Sequence, residues 1–158
     1  MSINPPPFDR DYEVFDFEVL KEPWNEYILK DGALVRARLI ILKIYRRKNS
    51  PENEIEVNST NIFTVITNRD MRGTPTPILQ NEELMRLPRI PVEVASSKED
   101  WNEYLIKKTN TKVRVRLILT EAIKIPGRFD PFGEPVYMIR FGTFIPPHQL
   151  GATGTITK

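Results

Sequence analysis

The sequence predicts a mainly β protein: two tandem homologous small β-barrel or half-barrel units from an internal duplication, with at most one short helix in the linker between them. Three observations carry this expectation. Fourteen prolines are spread through 158 residues, and proline interrupts helices because it lacks a backbone N–H and clashes with the preceding turn. Both tryptophans open the same tetrapeptide, Trp-Asn-Glu-Tyr, at Trp24 and at Trp101. The runs that follow alternate apolar and polar residues, which places residues two apart on one face of a strand.

Residues 1–10 form a proline-rich lead, and residues 11–67 the first unit. Within that unit Tyr27 to Lys30 leads through Asp31-Gly32, read as a two-residue hairpin turn, into the run Leu34 to Arg46. The turn Ser50-Pro51-Glu52-Asn53 has proline at its second position, and a further strand follows to Ile66. Residues 68–87 are the linker, where Asn81 to Leu87 suits one short helix before Pro88 ends it. The second unit, residues 88–146, repeats the pattern: EDWNEYLIKKTNTKVRVRLILTEAIKI aligns with EPWNEYILKDGALVRARLIILKI, with one extra residue before the Arg-x-Arg pair. Its turn is Asp130-Pro131-Phe132-Gly133, and residues 147–158 are a polar tail. Outside the alignment, Phe17-Glu18-Val19 resembles Val92-Glu93-Val94.

In the long run of the first unit, Val35, Ala37, Leu39 and Ile41 share one face, while Arg36, Arg38, Ile40 and Leu42 share the other. The second unit repeats this with Val113, Val115, Leu117 and Leu119 against Arg114, Arg116, Ile118 and Thr120. One face is therefore buried throughout. The duplicated packing motif is Trp24, Tyr27, Trp101 and Tyr104, with core packing as the expected role. A two-turn helix at the tetrapeptide competes with the strand reading, because Ser97 to Asp100 resembles a capping pattern. The Asp31-Gly32 hairpin running into a strand with arginines resembles small SH3-like or Sm-like barrels, a resemblance that implies a barrel fold and no particular function.

Without cysteine, a thiolate nucleophile, cysteine-ligated zinc and a disulfide framework are excluded. His148 is the single histidine, and neither a dinucleotide fingerprint nor a phosphate loop occurs. No cofactor is expected. The sequence also lacks an apolar run of membrane-spanning length, so the expected location is the cytoplasm with no membrane contact. Asn58-Ser59-Thr60 matches a glycosylation acceptor by accident of composition.

A candidate binding face consists of Arg36, Arg38, Lys43, Arg46, Arg114, Arg116 and Lys124. Two basic strands beside Trp and Tyr suit phosphate contact and base stacking. The same strands beside acidic neighbours such as Glu18, Glu26, Glu93 and Glu103 suit cross-strand ion pairs, and a net charge of only +2 favours that reading over polyanion binding. The expected function is therefore a non-catalytic binding or structural module, with a second copy of the chain or another protein as partner. A nucleic-acid-binding protein is the first alternative, and a hydrolase with an unlocated acidic pair the second.

Overall fold

The computed structural model describes residues 12–47 and 55–146, which leaves the lead, the turn at Ser50 to Asn53, His148 and the tail outside the described residues. The first stretch forms β1 (Tyr12–Phe15), β2 (Phe17–Lys21), β3 (Trp24–Leu29), β4 (Leu34–Arg47) and β5 (Ile55–Ile66). The second forms β6 (Ile90–Pro91), β7 (Val94–Lys98), β8 (Trp101–Ile106), β9 (Thr111–Phe129) and β10 (Pro135–Phe144). Between them lie a 3₁₀ turn at Arg69–Met71 and one short helix, α1 (Asn81–Leu84), closed at its start by a Gln80–Glu83 capping box. No helix among the described residues is long and apolar enough to cross a membrane.

The strands make two antiparallel five-stranded sheets. In the first, β4 pairs along one edge with β5 and along the other with β3 and then β1, and β3 continues to β7. In the second, β9 pairs along one edge with β10 and along the other with β8 and then β6, and β8 continues to β2. Thus β2 leaves its own stretch to join the second sheet, and β7 leaves its own to join the first. β2 and β7 begin the same distance before their tryptophans, so Phe17 stands in register with Val94 rather than with Val92.

The inner faces of both sheets contribute to one hydrophobic cluster, with Tyr27, Leu29, Val35, Ala37 and Leu39 from the first and Tyr104, Ile106, Val113, Val115 and Leu117 from the second. Burying a leucine or isoleucine side chain there contributes roughly 1.5–3 kcal/mol, so this cluster is what holds the sheets together.

Neither sheet is a closed barrel. Closure requires the first and last strands to pair, and among the described residues the outer edges of β5 and β10 have no strand beside them. A register shift does bend each long strand, at Leu42 in β4 and at Thr120 in β9, where one extra residue faces its partner strand. The tetrapeptide is a strand in both places, not a helix, because its Asn and Tyr continue the buried alternation of the strand core. The first hairpin has a three-residue loop, since Leu29 pairs with Ala33 and the amide of Gly32 donates to the carbonyl of Leu29. Only Gly32 has positive φ there (96°), whereas a two-residue turn of the Asp-Gly kind needs it at both positions. The longer loop of the second hairpin reaches the same conformation with Asn110, φ 55°.

Candidate functional site

Strand alternation sets each tetrapeptide with two residues in and two out. Asn25 and Tyr27, like Asn102 and Tyr104, lie at or below 2% exposure. The tryptophans lie on the outer faces, which departs from the core-packing expectation: Trp24 is 38% exposed and Trp101 is half-buried. Physically, each tryptophan shares its face with the tetrapeptide's glutamate and with the arginines of the adjacent long strand, not with the tyrosine.

In register, Trp24 faces Arg38 and Glu26 faces Arg36, while Trp101 faces Arg116 and Glu103 faces Arg114. The guanidiniums of Arg36 and Arg38 lie 4.6 and 5.8 Å from the Trp24 ring centre, and those of Arg114 and Arg116 lie 4.4 and 5.5 Å from that of Trp101. These are cation–π distances. All four arginines also meet carboxylates: Arg36 with Glu26 (3.6 Å), Arg38 with Glu22 (3.9 Å), Arg114 with Glu103 (3.5 Å) and Arg116 with Glu99 (3.0 Å).

Glu22 and Glu99 are the residues that sequence reasoning passed over. Each stands two before its tryptophan and reaches across to the other stretch of chain. The Tyr104 hydroxyl donates to Glu22 Oε2 at 2.8 Å, and the Tyr27 hydroxyl donates to Glu99 Oε2 at 2.8 Å. Asn102 Nδ2 donates to the carbonyl of Leu39 and to the Tyr104 hydroxyl, both at 2.8 Å, and Asn25 Nδ2 reaches the carbonyl of Leu117 at 3.4 Å. Burial pushes both phenols well above their ordinary value; the Glu99 hydrogen bond adds to this at Tyr27, and that of Glu22 does so at Tyr104. They are held neutral as donors to the carboxylates. The signal available in the sequence was the repeated glutamate of EPWNEY and EDWNEY.

The proposed basic face is not continuous. Arg36 and Arg38 project from the outer face of the first sheet, Arg114 and Arg116 from the outer face of the second, and the cluster to which both inner faces contribute lies between. Arg46 lies beyond the bend of β4, paired with Glu13 at 3.2 Å, beside a cleft of about 250 Å³ lined by Phe15, Ile55, Ile106 and Lys108. Lys43 is exposed and Lys124 half-buried, and neither forms an ion pair among the described residues. Of the acidic candidates, Glu26 and Glu103 are bound to arginines, and Glu93 pairs at the surface with Lys30 at 2.8 Å, which holds its carboxyl below the usual range. Glu18 is exposed. Among the described residues no three His, Cys, Asp or Glu side chains are grouped to hold a metal ion. In comparisons with known proteins, no family model, no curated protein and no solved structure matches this chain.

Proposed function

We propose that the chain is a non-catalytic structural or assembly module built from a duplicated β unit whose two copies are interlocked by exchange of one strand. Four features support the duplication. The sheets have the same strand neighbours, the exchanged strands stand at the same distance from the repeated tetrapeptides, the bends at Leu42 and Thr120 fall at matching positions after the Arg-x-Arg pairs, and the Glu–Tyr hydrogen bonds are reciprocal.

The observation that carries the functional reading is the state of the four arginines. Each is matched by a carboxylate and leans on a tryptophan, so these four side chains have partners within their own fold. Nucleic-acid binding would call instead for cations left open to phosphates.

Replacing Arg36, Arg38, Arg114 and Arg116 by glutamine tests this. Half-exposed ion pairs contribute at most about 1 kcal/mol each, so the melting temperature should fall by roughly 5–10 °C. Neither parent nor variant should bind a single-stranded oligonucleotide at about 150 mM salt. Micromolar binding by the parent, lost in a variant that melts where the parent does, would replace this reading with the nucleic-acid one.

A further inference from the structure

We infer that β5 is a dimerisation edge, by which two copies of this chain join their first sheets through antiparallel β5–β5 pairing. The inference rests on the assembly reading above and gives it a partner and a contact.

A strand at a sheet edge presents a row of free backbone N–H and C=O groups, which natural proteins guard with charges, prolines, bulges or brevity. Among the described residues the other strands that pair on one side only carry such guards, β1 and β6 being only four and two residues long. β2 and β7 are five residues long, β2 with Glu18 and Lys21 and β7 with Lys98, and each has a register shift. β10 carries Arg140 and begins at a proline. β5 spans 12 residues, and from Val57 to Ile66 it has no charge, no proline and no glycine. Its regular backbone is unbroken, because the extra residue of the β4–β5 register shift belongs to β4.

Both faces of this edge leave apolar surface in water. Ile62 is 47% and Ile66 41% exposed on the outer face, and Phe63 is 42% exposed on the core-facing side, where it reaches Phe141 at the lip of the second sheet. A single chain leaves Phe63 half covered; a strand laid along β5 would cover it.

The chemistry of the edge selects a second copy as that strand. Two identical strands pair antiparallel about a two-fold axis, so one contact satisfies both edges and the assembly stops at two. With no charge from Val57 to Ile66, self-pairing opposes no like charges in any register of that segment. The outer row Thr60, Ile62, Thr64, Ile66 meets itself as threonine and isoleucine, residues that pack well across paired strands.

Sedimentation of the full chain across micromolar to near-millimolar concentrations should show a monomer–dimer equilibrium. Thr60→Glu with Thr64→Glu should weaken it by about tenfold or more while leaving melting unchanged, because both threonines are exposed and Thr64 lies opposite Arg36. The absence of cysteine gives a second readout. Single substitutions Thr60→Cys, Ile62→Cys and Thr64→Cys should include at least one that forms a disulfide-linked dimer much faster than Thr143→Cys on β10. A chain that stays monomeric throughout overturns the inference, as does a dimer or larger species indifferent to the glutamate pair, or equal crosslinking at Thr143. None of these outcomes touches the assignment of the arginines, which the oligonucleotide measurement tests separately.

Discussion

The two tetrapeptides are identical in sequence and occupy matching strands, yet they are not equally well bonded. Around Asn102 the contacts are short: 2.8 Å to the carbonyl of Leu39 and 2.8 Å to the Tyr104 hydroxyl. Around Asn25 the corresponding distances are 3.4 and 3.5 Å. Instead, the Asn25 side-chain oxygen accepts from the amide of Asp100 at 3.2 Å. The residue matching Asp100 before the first tryptophan is Pro23, which has no amide to give. One neighbour in the opposite stretch therefore decides whether a buried asparagine is drawn outward or settles onto the strand across the core. The tryptophans differ as well: Trp101 packs against Phe144 at 6.2 Å between ring centres, whereas Trp24 has Ile62 in the matching place and is the more exposed.

If this asymmetry is energetic, Asn102→Ala should be the costlier of the two asparagine replacements. It strands the buried carbonyl of Leu39, at about 2–3 kcal/mol, against about 1 kcal/mol for Asn25→Ala. Urea unfolding of both variants measures the difference, and equal costs would break the comparison. Next in size, Trp101→Ala should cost about 2 kcal/mol and Trp24→Ala about 1 kcal/mol, since less apolar area leaves water at Trp24.

Tyr27→Phe and Tyr104→Phe should each cost about 1 kcal/mol at neutral pH. They also sharpen the comparison through pH. In an unfolded chain tyrosine loses its proton near pH 10, whereas burial holds both phenols protonated beyond that in the fold. Above pH 10 the folded state therefore binds more protons than the unfolded one. The stability is complete below that pH and is lost as pH rises towards the folded values. Alkaline unfolding should be less steep in the double phenylalanine variant. The smallest effect belongs to Pro23→Ala, which gives Asn102 the amide that Asn25 already has. The new hydrogen bond is offset by the freedom returned to the unfolded chain, so the net change stays below about 1 kcal/mol. Slowed exchange of the new backbone amide at position 23, with faster exchange of the Asn102 side-chain amide as it is drawn off the Leu39 carbonyl, is the readout.

The strands were legible because alternation is a local property. Val35, Ala37, Leu39 and Val113, Val115, Leu117 declare their buried face without reference to any partner, and the turn residues mark where each run ends. Partner choice was not legible. Phe17-Glu18-Val19 reads as a strand whichever sheet it joins, and whether long strands close into a barrel depends on stagger between residues far apart in the chain. At the site, the tryptophans misled because a large apolar ring suggests the core, while the alternation within Trp-Asn-Glu-Tyr already set the ring beside a glutamate. The arginine–carboxylate pairing followed from charge alone; the reach of Glu22 and Glu99 across to the other stretch did not, because it exists only once β2 and β7 have changed places.

That exchange orders events during synthesis. A ribosome releases the chain from its N-terminus, and β2 must wait for β8, made some eighty residues later, before it has a neighbour. β3 likewise lacks its outer strand until β7 emerges. The first stretch alone can form the β3–β4–β5 meander, but Tyr27 then has no Glu99 to receive its hydroxyl. Folding is thus deferred until the second stretch is out, and such long-range pairing is slow because loop closure comes before its reward. A nascent chain stalled before Trp101 should be readily cut by protease, with protection arriving in one step once β8 and β9 have both cleared the exit tunnel.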